Sequence, residues 1–210
     1  MSLLFSPITS RCLTLRNRVG FSPMCTFRGH RGFVTDFHRE HYAARAHGGA
    51  GLVMVEATAV EARGVIAPDD LGIWADDHVA GLADIANRIK AGGAAAGIQL
   101  AHAGRKAGAF EDVDGTKNID VVGPSAIPFD AGRPVPRALS ADELIGVREA
   151  YVKATQRAIA AGFEMIELHC ARLSAQQLSL AVAEPTHRRL RRGDRTTRAF
   201  PARSDCRDAC

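Results

Sequence analysis

The stretch Gly51-Leu-Val-Met-Val-Glu-Ala-Thr-Ala-Val60 decides the fold class. It is almost continuously apolar and rich in β-branched side chains. It lacks the period-two alternation of a strand with one wet face. A run of this kind reads as a strand buried on both faces, as in a parallel sheet covered by helices.

Its neighbours support that reading. Upstream, Asp36 to His47 is predicted as a helix, capped by Thr35 or Asp36 and closed by Gly48. Downstream, Asp76 to Ala91 is a second helix. Asp76 and Asp77 fill its first turn, Val79, Leu82, Ile85, Ala86 and Ile89 form an apolar stripe, and Lys90 precedes Gly92. Ala95 to His102 is the next buried strand. A third helix opens at Ser140, where Ser140 and Glu143 form a capping box and Leu139 and Leu144 are spaced for a hydrophobic staple. Leu144, Val147, Tyr151, Ala154 and Ala158 make its inner face, and Gly162 stops it. Phe163 to His169 is the last strand of the series, and Arg18 to Met24 is a short extended segment that Pro23 ends. Between Gly104 and Leu139 no periodic element is evident. A connection this long in a compact domain reads as a functional loop.

Strands alternating with helices call for parallel pairing and right-handed crossovers. A doubly wound sheet and a (β/α)8 barrel both satisfy the order. The glycine clusters at Gly48-Gly49 and Gly92-Gly93 precede strands instead of following them, which is the wrong placement for a dinucleotide fingerprint.

Length and composition set outer bounds. The 210 residues suit one domain or a fragment of a larger one, and 46% hydrophobic with 24% charged residues is ordinary for a globular chain. No apolar run approaches the ~20 residues that span a bilayer. The opening Met1-Ser-Leu-Leu-Phe lacks the basic start of a secretory signal, so a cytoplasmic location and no membrane partner are expected. Five scattered cysteines without CxxC spacing indicate neither a disulfide framework nor a zinc site. The formal charge of +4 is unevenly placed: residues 171–210 hold nine Arg, no Lys and four acids, while residues 1–170 hold 18 basic and 19 acidic residues. The body has no electrostatic footprint for nucleic acid.

In a barrel, chemistry sits where strands end and loops begin. Those ends carry Ser22-Pro23-Met24-Cys25, then Glu56-Ala57-Thr58, then Gln99 and His102, then His169. Each has a plain structural reading. A cysteine after a strand serves as a small buried hydrophobe, and a histidine on an apolar strand serves as a hydrogen-bonded core residue. The Arg105-Lys106 pair reads as a solvated face. Gln99 is harder to place that way, because a buried amide must find partners.

On these residues the chain resembles the N-terminal half of the old yellow enzyme family, in its bacterial class with a cysteine beside the flavin. The similar segments include Leu13-Thr-Leu-Arg-Asn-Arg-Val19, Ser22-Pro-Met-Cys25, Gly51 to Val60, Leu71-Gly-Ile-Trp74, Gly97-Ile-Gln-Leu-Ala-His-Ala-Gly-Arg-Lys106 and Ala161 to His169. The resemblance implies an α/β fold, the first four units of a (β/α)8 TIM barrel over residues 1–171. It implies an enzyme with FMN as cofactor and NADPH or NADH as hydride donor, reducing the activated C=C of an α,β-unsaturated carbonyl compound, with full-length relatives that are homo-oligomers. It implies that Ser22, Pro23, Met24, Cys25, Ala57 and Gln99 contact the flavin. Cys25 and His169 would take catalytic roles, and His169 and Phe27 would face the substrate. The family's usual tyrosine is replaced by Phe27, and its second histidine, three residues after the first, by Arg172.

Residues 172–210 match nothing in the family and are expected to be disordered. One set of permitted codons for Ala171 to Gly193, read one base later, spells the family's continuation from His-Gly-Tyr-Leu through Tyr-Gly-Gly. The tail is therefore expected to be out of frame, and sequencing across the codons for Cys170 to Arg172 tests it. On this reading the chain is truncated, lacking the second half's tyrosine and phosphate loops. Two other functions remain open: a non-catalytic fragment whose basic tail binds nucleic acid or another protein, and a barrel enzyme with a different cofactor.

Overall fold

The computed structural model describes residues 2–108, 110–111, 117–118 and 120–169. The Arg-rich tail, with the frame shift and disorder expected of it, and Arg172 in the place of a second histidine lie outside the described residues.

Four parallel strands run through the main sheet, β1 (Gly20–Phe21), β2 (Leu52–Ala59), β3 (Ala95–Ala101) and β4 (Met165–His169), and the two-residue strand Leu71–Gly72 pairs in parallel with the end of β2 as its fifth. Their spatial order is β4-β3-β2-β1, the same as their order in the chain. A doubly wound sheet reverses direction at a switch point; this one does not. The helices agree. Tyr42 and Ala46 of α1 (Asp36–His47), Leu82, Ile85, Ala86 and Ile89 of α2 (Val79–Ala91), and Val147, Tyr151, Ala154 and Ala158 of α3 (Ala141–Ala160) join one apolar cluster with Val53, Val55, Ile98 and Leu100 of the strands. Helices on one face and sequential parallel strands are the geometry of four consecutive units of a (β/α)8 barrel.

Local signals set the element ends. Ser140 Oγ accepts from the Glu143 N–H at 3.3 Å, and the Ser140 N–H donates to Glu143 Oε2 at 2.9 Å, closing the expected capping box. Gly162 ends the helix region with φ of 86°, a left-handed conformation that favours glycine. Ser140→Ala should cost about 1 kcal/mol of stability, read from the urea midpoint, because one N–H of the first turn loses its partner. The second helix starts one turn late: Asp76–His78 is a 3-10 turn and the α-helix begins at Val79. The long connection after Gly104 contains a short parallel pair, Val122–Gly123 with Arg137–Ala138, which sequence periodicity misses.

The decisive irregularity lies in β2. Val55 pairs with Ile98, but Ala57 pairs with Gln99, so Glu56 is an extra residue. This β-bulge changes which side chains face the helices. Val53 and Val55 pack in the apolar cluster, and Glu56, also on the helix side, reaches Tyr42. Beyond the bulge Ala57 and Ala59 turn to the opposite face. The absence of alternation in the sequence thus has two causes, burial on both sides and a change of phase at Glu56.

Candidate functional site

The sheet face away from the helices is laid out in rows by the register. Ala57, Gln99 and Glu167 stand side by side; one step on stand Ala59, Ala101 and His169. Above them a cavity of about 380 Å³ opens, lined by Pro23, Cys25, Phe27, Ala57, Gln99 and His169 among others. This volume falls within the range of ~300–1,000 Å³ usual for small-molecule sites. Three alanines make a low, flat floor, and the polar groups enter from its rim.

Six of the eight candidate flavin and substrate contacts therefore meet at one cavity. Ser22 and Met24 do not line it. Both are exposed, Met24 by 52%, because alternate residues of an extended segment face opposite ways and Pro23 and Cys25 take the inner side. Phe27 holds φ at 52°, an uncommon conformation for a bulky residue, and is exposed at the cavity mouth. The buried amide of Gln99 finds its partner on the next strand, where Nε2 donates to Glu167 Oε1 at 2.5 Å.

His102, named with Gln99 at its strand end, lines the cavity too, and loops add Lys106 together with Ile66 and Asp70, which carry no sequence signal of their own. His102 is fully buried. Its Nδ1 accepts from the Gly104 N–H at 2.9 Å, which leaves Nε2 to donate to Glu61 Oε2 at 3.2 Å. Lys106 lies in the cavity wall with its ammonium 5.6 Å from the centre of the Phe129 ring, so the solvated-face reading of that residue is corrected.

Asp70 is 4% exposed. Its Oδ2 accepts from the N–H groups of Ile66 and Ala67, at 2.5 and 3.2 Å, while Oδ1 is buried without a hydrogen-bond partner. Burial pushes its carboxyl up to about 6, against an opposing pull from those two N–H groups. Cys25 is raised as well, first by burial and then by the Asp70 and Glu56 carboxylates, with Lys106 acting the other way. A cysteine so placed is held as a thiol, unlike the electropositive setting of a reactive thiolate.

Asp70→Asn should therefore stabilise the fold at pH 7 by up to ~3 kcal/mol. The carboxyl's value in the fold, about 6, stands above the ordinary 3.8, so its ionisation opposes folding as pH rises through 6 and ceases to matter below about 4. The melting difference between the two proteins should close between pH 6 and pH 4. A gap of constant size, or a less stable variant at pH 7, contradicts this.

Among the described residues no group of three or more His, Cys, Asp or Glu is arranged to hold a metal ion, and no helix is long and apolar enough to cross a membrane.

Comparison with known proteins gives a consistent picture. Residues 3–174 match the model of the NADH:flavin oxidoreductase / NADH oxidase family. The chain is 46% identical over 168 residues to an NADPH dehydrogenase of Bacillus licheniformis, covering 79% of this chain and 47% of the relative. A Bacillus cytotoxicus NADPH dehydrogenase is 48% identical, with 79% and 46% covered. Among solved structures, morphinone reductase in complex with tetrahydroNAD superposes with a TM-score of 0.73 at 31% identity, over 81% of this chain and 50% of that one. The old yellow enzyme homologue of Zymomonas mobilis gives 0.69 at 32%, over 80% and 48%. The chain spans about half the length of the relatives it matches. With the sequential parallel strands, the alanine floor and a family model matched over most of its length, the chain belongs to the NADH:flavin oxidoreductase / NADH oxidase family.

Proposed function

We propose that these residues form the flavin-facing half of an FMN-dependent oxidoreductase that takes hydride from NADPH and reduces the C=C bond of an α,β-unsaturated carbonyl compound. The observation that carries this is the row geometry: Ala57 and Gln99 under the cavity, Cys25 at its side and His169 at its rim. The low alanine floor fits a planar tricyclic ring, and the Gln99 amide fits the polar edge of one. When bound, FMN supplies hydride storage between the two substrates.

The chain's own residues would do the rest. Gln99, fixed by Glu167, orients the ring's polar edge. Cys25 presents an S–H to the ring. His169 donates a hydrogen bond to the substrate's carbonyl oxygen, drawing charge away from the alkene. Phe27 closes the mouth by apolar contact, without the hydroxyl a tyrosine would bring.

The same structure supports a second part of the proposal: by itself the 210-residue chain binds FMN weakly and turns over poorly. Among the described residues β4 is an edge strand. Leu168 on it and Ile159 on α3 are 55% and 62% exposed, an apolar margin prone to association. Two preparations test the two parts. The chain alone, titrated with FMN, should remain largely colourless and associate; a yellow monomer that reduces 2-cyclohexenone refutes that part. Residues 1–169 joined to the second half of the Bacillus licheniformis relative should give a yellow protein that oxidises NADPH when cyclohexenone is added. A chimera that folds but stays colourless, or is inert to the enone, refutes the functional reading.

A further inference from the structure

Behind the cavity wall, on the helix side of the sheet, lies a buried polar cluster that the functional reading does not use. Its centre is Glu56, 1% exposed, delivered there by the bulge in β2. Glu56 Oε2 accepts from the Thr26 N–H at 2.6 Å. Oε1 accepts from Thr26 Oγ1 at 2.7 Å and from the Tyr42 hydroxyl at 3.1 Å, and lies 3.3 Å from His38 Nε2. The Glu56 N–H in turn donates to the Tyr42 oxygen at 2.9 Å. On the far side of His38, Nδ1 accepts from the Thr35 N–H at 3.1 Å, so the Nε2–H is directed at the carboxylate.

Both bonds to Thr26 matter because Thr26 follows Cys25 directly. A backbone donor and a side-chain donor of one residue, taken by the two oxygens of one carboxylate, fix that residue's orientation as well as its position. The segment from Pro23 to Phe27 contains no regular element that would hold it otherwise. Tyr42 and His38 both belong to α1 and are fully packed, so the carboxylate is gripped from a rigid side.

We propose that Glu56 is a positioning residue for Cys25: clamped by His38 and Tyr42, it grips Thr26 and so fixes where the neighbouring Cys25 presents its sulfur to the cavity. Burial alone would push the Glu56 carboxyl up, but the bonds from His38 and Thr26 outweigh it and keep the group ionised. The charged groups acting on Cys25 are then Asp70 and Glu56, which favour the thiol, and Lys106, which favours the thiolate. Glu56 thus serves two ends, orientation through Thr26 and charge through space. Its bearing on catalysis rests on the flavin reading, whereas its bearing on Cys25 does not.

The test is residue-resolved alkylation of the full chain by iodoacetamide, without flavin, from pH 6 to pH 10. Peptide mass spectrometry follows Cys25, with the exposed Cys12 as internal reference. In Glu56→Gln the Cys25 profile should move to lower pH, because a nearby negative charge is gone. In Thr26→Val the charge stays and the Oγ1 bond is lost, so the limiting rate at Cys25 should rise several-fold with the midpoint in place. Cys12 should be unchanged in both. A merely structural Glu56 would move both cysteines together or leave the midpoint alone, and Cys25 profiles that superimpose on the wild type in both variants overturn the proposal. If Glu56→Gln fails to fold, Thr26→Val decides alone: a rise confined to Cys25 supports the proposal, and no rise overturns it. FMN binding by the chimera is read separately, so failure of the flavin reading leaves this result intact.

Discussion

Replacing His169 by Ala in the chimera is expected to lower kcat/KM for cyclohexenone by ~10²–10³-fold. The reason is positional. His169 ends β4 and pairs with Ala101, which pairs with Ala59, so the imidazole stands in the row at the cavity rim where the floor carries only methyl groups. A carbonyl bound there meets this side chain as the donor brought by the described half. Loss of the donor acts on the reaction with the enone, where negative charge grows on the carbonyl oxygen as hydride arrives, and leaves the reaction with NADPH in place, since the nicotinamide carboxamide gains no such charge as hydride leaves. The two are separable by stopped flow: bleaching of the yellow colour by NADPH at an unchanged rate, and slow return of colour on adding enone. Equal slowing of both steps would mean that His169 supports the cavity's shape instead. A return rate within a factor of three of the parent would remove it from the mechanism.

The second large effect is on stability. Ile98→Ala is expected to cost about 2–5 kcal/mol. Ile98 is fully buried at the centre of β3, paired with Val55 on one side and Ile166 on the other, with the helix cluster against its side chain. Neighbours anchored in strands on both sides cannot collapse into the space, so a cavity term adds to the lost transfer energy. Against a total stability of ~5–15 kcal/mol for an ordinary domain, this should abolish a cooperative melt or shift it by many degrees. Ile159→Ala removes the same atoms from a site that is 62% exposed and should stay within about 0.5 kcal/mol. Circular dichroism melts of the two variants compare them directly. Equal losses would mean that β3 is not the centre of the core.

Much of this was legible in the chain. The ends of α1 and the start of α3 match the capping and glycine signals because those are local: a serine hydroxyl three residues from the N–H it caps needs no tertiary partner. The apolar stripe of α2 followed from periodicity, and the buried strands from short, nearly continuous apolar runs. The late start of α2 was missed because the Asp76-Asp77 turn and a helical first turn have the same composition. The cavity residues Cys25, Ala57, Gln99 and His169 were found through strand ends and family resemblance. Ser22 and Met24, carried over with the same continuous motif, do not line the cavity, because alternate side chains of an extended segment face opposite ways.

What the sequence by itself determined is the order and extent of the main elements, the family, and the strand ends at which chemistry collects, because these depend on local propensity and short-range spacing. Only the tertiary structure decided between two architectures of identical element order. It did so through strand order and the placement of all three helices on one face, both set by pairings between residues far apart in the chain. It also decided where Glu56 points. A bulge exists only relative to a partner strand, and its one extra residue sends a carboxylate into the helix layer while turning Ala57 to the cavity. Asp70 and Lys106 entered the site for the same reason, carried there by loops whose path is fixed by what they pack against.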